Sequence, residues 1–289
     1  MPKTVAIIQG RMGSSRLPGK ILLEMGGKPM LQHVLERTQR ARSLNAIVVA
    51  TTTDPTDDPV AAFAASTGVP CTRGSLHDVL DRYYQAARLH QAEIVVRITA
   101  DCPLIDPQVI DETVQLVTQS ASVLGPSSSV DFSCNRLPPP FGRSFPIGLD
   151  VEVCTFTALE RAWKESTETF HREHVMPFLY EGVKFESKVE GQTSSDLRPS
   201  TFDVITGRSP RGFRIAQLQH TPDYGTLRWT VDTPEDLAFI REMFARLAGK
   251  PNFTWYDVLE IVQKNPELAE INAAVRHKTM TEVDERSQK

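Results

Sequence analysis

The sequence predicts an α/β fold: a mostly parallel central sheet with α-helices on both faces. Three observations carry this. Over the first hundred residues, short apolar runs alternate with stretches of helical period. The apolar runs are continuous rather than alternating, as in strands buried on both faces. Glycine-rich and charged segments follow the first and fourth runs, where open parallel sheets place their ligands.

The elements follow in order. Thr4 to Gln9 (TVAIIQ) is an apolar, β-branched first strand, and Gly10 to Pro29 is a loop. Met30 to Ala41 reads as a helix with Leu31, Val34 and Leu35 on one face. Ala46 to Thr52 is a strand, Asp57 to Thr67 an alanine-rich helix, and Val69 to Thr72 a short strand. Leu76 to His90 is a helix with Val79, Leu80, Tyr83 and Ala87 aligned, Glu93 to Thr99 a strand, and Gln108 to Gln119 a helix. Gly125 to Gly148 is rich in Pro, Ser and Gly and reads as surface chain or a lid. Leu149 to Cys154 and Val183 to Val189 read as strands, with helices at Thr157 to Trp163 and His171 to Tyr180 between them. Gln192 to Gly212 reads as an irregular insertion and Arg228 to Val231 as a strand. Pro234 to Leu247 is a helix with Pro at its first position. Thr254 to Gln263 and Pro266 to Val275 are further helices, and the polar tail from His277 reads as frayed.

Composition narrows the function. The chain has 289 residues, 40% hydrophobic and 24% charged, with a net charge of −4. That is an ordinary globular balance, and it argues against a bulk nucleic-acid binder, which would be basic. Four dispersed cysteines without a C-x-x-C pair argue against a zinc ribbon or disulfide scaffold and fit a reducing compartment. No apolar run approaches the ~18 residues of a membrane helix. A cytoplasmic location, with no membrane or nucleic-acid partner, is expected.

The loop after the first strand carries the strongest chemical signal. Gly10-Arg11-Met12-Gly13-Ser14-Ser15-Arg16-Leu17-Pro18-Gly19-Lys20 holds three glycines, three cations and two hydroxyls. Glycines let backbone N–H groups approach a ligand, and Arg and Lys match phosphate oxygens, so a polyphosphate suits this loop better than a plain charged surface turn. It is neither a P-loop nor a dinucleotide fingerprint: five residues separate Gly13 from Gly19, and Ile21 follows Lys20. Asp101 follows the strand ending at Thr99, and Asp232 follows an apolar run before Thr233-Pro234. Two carboxylates at separate strand ends can share one Mg²⁺. Asp101 also suits a turn, and Asp232 a helix N-cap. Arg73-Gly74-Ser75 with Asp78 and Arg82 forms a third candidate loop, although Asp78 or Ser75 suits a cap and Arg82 a solvated face. His171 and His174 have zinc-compatible spacing, but the H-E-x-x-H order is missing, which favours a core or sugar-facing role. Cys102 reads as a small buried hydrophobe rather than a nucleophile.

Six segments, in order, carry a family resemblance: IIQGRMGSSRLPGK from Ile7, RGSLHDVLDRY from Arg73, RITADCPLIDP from Arg97, FPIGLDVEV from Phe145, REHVMPF from Arg172 and LRWTVDTPEDL from Leu227. They resemble the cytidylyltransferases that make CMP-activated acidic sugars, and within them the SpsF-like spore-coat-polysaccharide branch. The resemblance implies a nucleotide-diphospho-sugar transferase (GT-A, Rossmann-like) fold. It implies one nucleotidyltransferase domain over 1–250, with an inserted substrate or dimerisation subdomain at about 136–228, C-terminal helices at 251–276 and a tail at 277–289. Arg11, Lys20, Asp101 and Asp232 would be catalytic, the two aspartates holding Mg²⁺. Gly10, Arg11, Met12, Gly13, Ser14, Arg16, Lys20, Arg73, Asp78 and Arg97 would bind CTP. Asn135, Asp150, Glu152, Glu173 and His174 would face an acidic sugar-like acceptor. A homodimer is implied as possible. Gly10 stands where relatives usually carry Ala, a change expected only to loosen the loop. Three rivals remain: a GT-A glycosyltransferase with Asp150-Val-Glu152 as its metal motif, a non-catalytic nucleotide-binding partner, and a nucleotidyltransferase that uses UTP or GTP.

Overall fold

A computed structural model of the chain describes residues 2–125, 128–138, 141–193 and 201–276. Among the described residues, nine strands form one sheet. They are β1 (Thr4–Gln9), β2 (Ala46–Thr52), β3 (Cys71–Gly74), β4 (Ile94–Thr99), β5 (Phe132–Cys134), β6 (Glu152–Thr155), β7 (Lys184–Thr193), β8 (Thr201–Arg208) and β9 (Arg214–His220). Their spatial order is β3-β2-β1-β4-β6-β5-β9-β8-β7. The pairs β3–β2, β2–β1 and β1–β4 are parallel. β6 is antiparallel to both β4 and β5, β9 is parallel to β5, and β7-β8-β9 forms an antiparallel ribbon. The parallel prediction therefore holds for the first half of the sheet, and the second half is mixed.

Burial on both faces explains the continuous apolar runs. In β1, Ala6 and Ile8 join one core cluster, while Val5 and Ile7 join the other. The first cluster packs under α1 (Met30–Thr38), α2 (Asp58–Ser66) and α4 (Pro107–Thr118). The second lies under α3 (Val79–Leu89), where Val79, Leu80, Tyr83 and Ala87 are buried as their spacing predicts. A short helix, α5 (Ser120–Leu124), ends the first half. α6 (Phe156–Glu165) covers the helix predicted at Thr157 to Trp163, and α7 (Thr169–His174) and α8 (Pro177–Tyr180) divide the one predicted at His171 to Tyr180. α9 (Pro234–Arg246), α10 (Trp255–Lys264) and α11 (Glu267–Glu270) close the chain on the first face. No helix among the described residues is long and apolar enough to cross a membrane.

Within 136–228, β6 lies inside the sheet and β7 to β9 extend it. Several expectations are corrected. The predicted irregular stretch at 192–212 contains β8, whose Phe202 and Val204 alternate inward. Residues 194–200, within that stretch, and the tail from 277 lie outside the described residues. Arg228 to Val231 is not a strand and makes only a bridge from Arg228 to Ile147. The last predicted helix shrinks to Glu267–Glu270.

One buried node ties the C-terminal helices to the core. Asp106 caps α4 through Gln108 N–H (2.8 Å) and accepts Trp255 N–H at the start of α10 (2.7 Å). Arg37 of α1 lies 3.6 Å away and donates to the carbonyls of Ile105 (2.6 Å) and Phe253 (3.1 Å). Burial lowers the Arg37 guanidinium to about 10 against the opposing pull of Asp106. Removing one partner of such a pair strands the other charge, so Asp106→Ala should cost ~3–5 kcal/mol. Urea denaturation measures this; a loss under ~1 kcal/mol, the scale of an exposed pair, would contradict it.

Candidate active site

The glycine-rich loop is knotted before it reaches the site. Met12 carbonyl accepts N–H groups from Ser14 (3.0 Å) and Gly19 (2.9 Å). Gly19 has φ +69°, a left-handed conformation favourable to glycine, and it redirects the chain so that Lys20 turns inward. Met12 N–H donates to Asp57 Oδ1 at 2.7 Å. Asp57 is buried and also accepts from Thr52 Oγ1. It therefore moors the loop to the turn after β2.

Gly10 does not loosen this loop. A Cβ there would lie 2.7 Å from Ala100 Cβ and 3.0 Å from Ile21 Cδ1. Overpacking of this kind costs ~1–3 kcal/mol, so Gly10→Ala should destabilise the protein and the added change Ala100→Gly should recover most of the loss. Thermal melts of the two variants check this. Equal stability of wild type and Gly10→Ala would refute the close contact.

Three elements converge beside the loop. Lys20 Nζ lies 2.7 Å from Asp101 Oδ2, 2.8 Å from Asp232 Oδ1 and 2.7 Å from Val231 carbonyl oxygen. These three acceptors use all three ammonium hydrogens. Asp101 follows β4, and its carbonyl accepts Val231 N–H at 2.9 Å and Thr230 Oγ1–H at 3.1 Å. Arg16 Nη2 reaches Asp232 Oδ2 at 3.0 Å, and Arg228 Nη2 reaches the same oxygen at 2.8 Å. The N-cap of α9 is Thr233, in a capping box with Asp236, so Asp232 is not needed as the cap.

Electrostatics hold Lys20 and Asp232 charged. Burial would raise the Asp232 carboxyl, but Lys20, Arg16 and Arg228 outweigh it and hold it well below its ordinary 3.8. Burial would lower the Lys20 ammonium, but Asp101 and Asp232 hold it above its ordinary 10.5. The donor set fits Mg²⁺: two carboxylates reach one common cation position from separate chain segments. Mg²⁺ is normally held by one or two carboxylates and completes its shell with phosphate oxygens and water.

A cavity of about 510 Å³ opens over this cluster. Gly10, Arg11, Gly13, Ser14, Arg16, Lys20, Arg97, Asp101, Glu173, His174 and Asp232 all line it, as do Asp54, Thr56, Asp57, Leu76, His77 and Thr99. Of these last six, only Thr99 lies where the sequence points, at the end of the fourth apolar run. Asp57 reads in the sequence only as the start of a helix; Asp54 caps the turn before it, accepting Thr56 N–H at 2.8 Å.

Other predicted residues lie elsewhere, each for a local reason. Met12 knots the loop through its backbone, as described. Arg73 folds back onto the turn after β2, donating to the carbonyls of Thr52 (2.7 Å) and Asp54 (3.0 Å) and pairing with Asp58 at 2.7 Å. Asp78 caps α3 through Asp81 N–H (2.8 Å) and takes a fork from Arg172, pinning α7 so that Glu173 and His174 face the cavity. Arg82 is buried rather than solvated, and it braces the Ser75–Leu76 turn by donating to both carbonyls. Asn135 is buried and bridges Leu149 carbonyl (2.7 Å) and Val151 N–H (2.9 Å). Asp150 is paired with Arg143 (2.8 Å) and Arg136 (3.4 Å). Glu152 is paired with the cavity-lining Arg97. Both carboxylates of the Asp150-Val-Glu152 sequence are thus neutralised by arginines. Cys102 is buried, as its reading predicted, with its thiol pushed up by burial and by Asp101.

Known proteins share this arrangement of chain. The sequence model for the cytidylyltransferases matches residues 5–208. An uncharacterised protein of Methanocaldococcus jannaschii is 32% identical over 286 residues, spanning 98% of this chain and 100% of the relative. The spore coat polysaccharide biosynthesis protein SpsF of Bacillus subtilis is 25% identical over 91% of this chain and 95% of its own. The solved structure of a cytidylyltransferase from Leptospira borgpetersenii superposes with a TM-score of 0.77 at 29% identity, covering 96% of this chain and 100% of that one.

Proposed function

The chain belongs to the cytidylyltransferase family, and from that premise we propose that it transfers CMP from CTP to a hydroxyl of a sugar or sugar acid. Pyrophosphate is released, Mg²⁺ is required, and the product feeds cell-surface polysaccharide synthesis. The observation that carries this reading is the meeting of Lys20, Asp101 and Asp232 beneath the cationic loop.

In the proposed reaction the acceptor oxygen forms a bond to the α-phosphorus of CTP. The bond from that phosphorus to the α,β-bridging oxygen breaks in line, and the acceptor proton passes to solvent. Catalysis of this kind is mostly positioning and charge stabilisation. Arg11, Arg16 and Lys20 line the cavity and supply the cations for the triphosphate. Asp101 and Asp232 would hold Mg²⁺, which when bound neutralises phosphate charge. Glu173 and His174, held by the Arg172–Asp78 lock, form the acceptor side. The arginine pairs on Asp150 and Glu152 leave the glycosyltransferase reading without its metal motif.

A pyrophosphate-release screen tests the proposal, with four nucleoside triphosphates against a panel of acidic and neutral sugars, with and without Mg²⁺. The expected result is release with CTP and an acidic sugar, dependent on Mg²⁺. Sugar transfer from a nucleotide sugar without pyrophosphate would replace this reading. CTP binding without turnover on any acceptor would point to a non-catalytic partner.

A further inference from the structure

Three cations hold the Asp232 carboxylate, and they are not equivalent. Lys20 and Arg16 line the cavity and reach Asp232 at 2.8 and 3.0 Å. Arg228 comes from behind: its side chain is 5% exposed, it is not among the cavity-lining residues, and its Nη2 lies 2.8 Å from Asp232 Oδ2.

Arg228 is itself locked. Its Nε donates to Asp236 Oδ1 at 2.8 Å and its Nη2 to Asp236 Oδ2 at 2.9 Å. Asp236 is fully buried. It also accepts Asp232 N–H (2.9 Å), Thr233 N–H (3.1 Å) and Asn272 Nδ2–H (2.9 Å). Asn272 Nδ2 donates as well to the Arg228 carbonyl, at 3.0 Å. A helix cap needs only the Thr233 contact. The remaining bonds restrain the turn that presents Asp232, and Asn272 brings the chain beyond α11 into that support.

We infer that Arg228 is a positioning residue for the binding of metal and triphosphate at Asp232, with Asp236 and Asn272 as its anchors. The inference rests on the proposed role of Asp101 and Asp232 as magnesium ligands. A triphosphate in the cavity offers new oxygens to Lys20 and Arg16, and both can turn to it without leaving the cavity. Arg228 has no such choice. Its planar fork is spent on two carboxylates at once, so it stays with Asp232, fixes Oδ2 and leaves Oδ1 directed at the Lys20 position. Partners that orient a metal ligand from behind are typically worth ~10–100-fold in metal affinity or activity.

Mn²⁺ binding to the full-length protein in the presence of a non-hydrolysable CTP analogue tests this, read as free Mn²⁺ by electron paramagnetic resonance. Arg228→Met should weaken Mn²⁺ binding by ~10–100-fold, and Arg228→Lys, which keeps the charge but loses the fork, should stay weakened. Asn272→Ala touches neither Asp232 nor the cavity lining and should weaken Mn²⁺ binding in the same direction by a smaller factor. In each variant the number of sites per chain should hold; a merely structural role would reduce that number and leave the dissociation constant unchanged, overturning the inference. Asp232→Asn runs in parallel. Wild-type Mn²⁺ affinity in the Arg228 and Asn272 variants, with Asp232→Asn weakened, overturns the positioning role alone. Wild-type affinity in Asp232→Asn overturns the metal reading beneath it. If Arg228→Met does not fold by circular dichroism, Asn272→Ala decides between the same outcomes.

Discussion

Asp101→Ala should reduce CMP transfer by at least ~10³-fold, on the order of 4 kcal/mol of transition-state stabilisation, without unfolding the protein. The side chain and the backbone of Asp101 do separate work. Its carboxylate faces Lys20 and the cavity, whereas its carbonyl receives Val231 N–H and Thr230 Oγ1–H. Alanine removes the first and keeps the second, so the 228–233 turn stays docked to the end of β4. Pyrophosphate release measures the loss, and a thermal melt measures the fold. Near-normal release from a folded variant would remove Asp101 from the chemistry.

Lys20→Met should act on two measurements in opposite directions. It should lower kcat/KM for CTP by ~10²–10³-fold, the scale of losing one well-placed charge stabiliser. It should also raise the affinity of the nucleotide-free protein for Mn²⁺. In the wild type the ammonium uses the carboxylate oxygens a divalent ion would need, at 2.7 and 2.8 Å. Methionine fills similar space and competes for neither oxygen. Unchanged Mn²⁺ affinity would show that ion and ammonium do not share those oxygens.

The same cluster sets a pH window for stability without nucleotide. Asp232 titrates lower when folded than its ordinary 3.8, so its contribution is present above that value and fades as pH falls through the folded one. Lys20 titrates higher when folded than its ordinary 10.5, so its contribution is present below that value and fades as pH rises through the folded one. Urea denaturation between pH 5 and 9 should show no inflection from this pair; a sharp fall in that interval lost in Lys20→Met would contradict the charge assignment.

Much of this architecture could be read from the chain. Buried parallel strands such as β1, β2 and β4 announce themselves as continuous apolar runs, and the ends of β1 and β4 located the loop and Asp101. Reading faltered where pairing rather than composition decides. β8, in TFDVITGR, sits in a polar stretch and mixes Thr, Asp and Arg with its apolar residues, and β9, in RIAQLQH, carries glutamines and a histidine among its apolar residues. Among site residues, Lys20 in the loop after β1 and Asp101 just past β4 come together with Asp232, which arrives on a turn rather than at the strand end the sequence suggested. Arg73 and Asp78 stand out in the sequence as charged residues of a candidate loop, whereas Asn135, Asp150 and Glu152 are implied by the family resemblance alone. Whether such a side chain points to a ligand or to a neighbour depends on contacts between distant segments, such as Asp78 with Arg172, 94 residues apart.

The unbroken nine-stranded platform has a mechanical consequence. In the proposed reaction the nucleotide side, at the ends of β1 and β4, and the acceptor side, at Glu173 and His174, line one cavity over a sheet joined by ladder hydrogen bonds, so no hinge separates them. Substrate capture must then proceed by exchange of side-chain partners and by loop adjustment rather than by jaws closing. The radius of gyration from X-ray scattering should accordingly stay the same whether CTP is added or withheld.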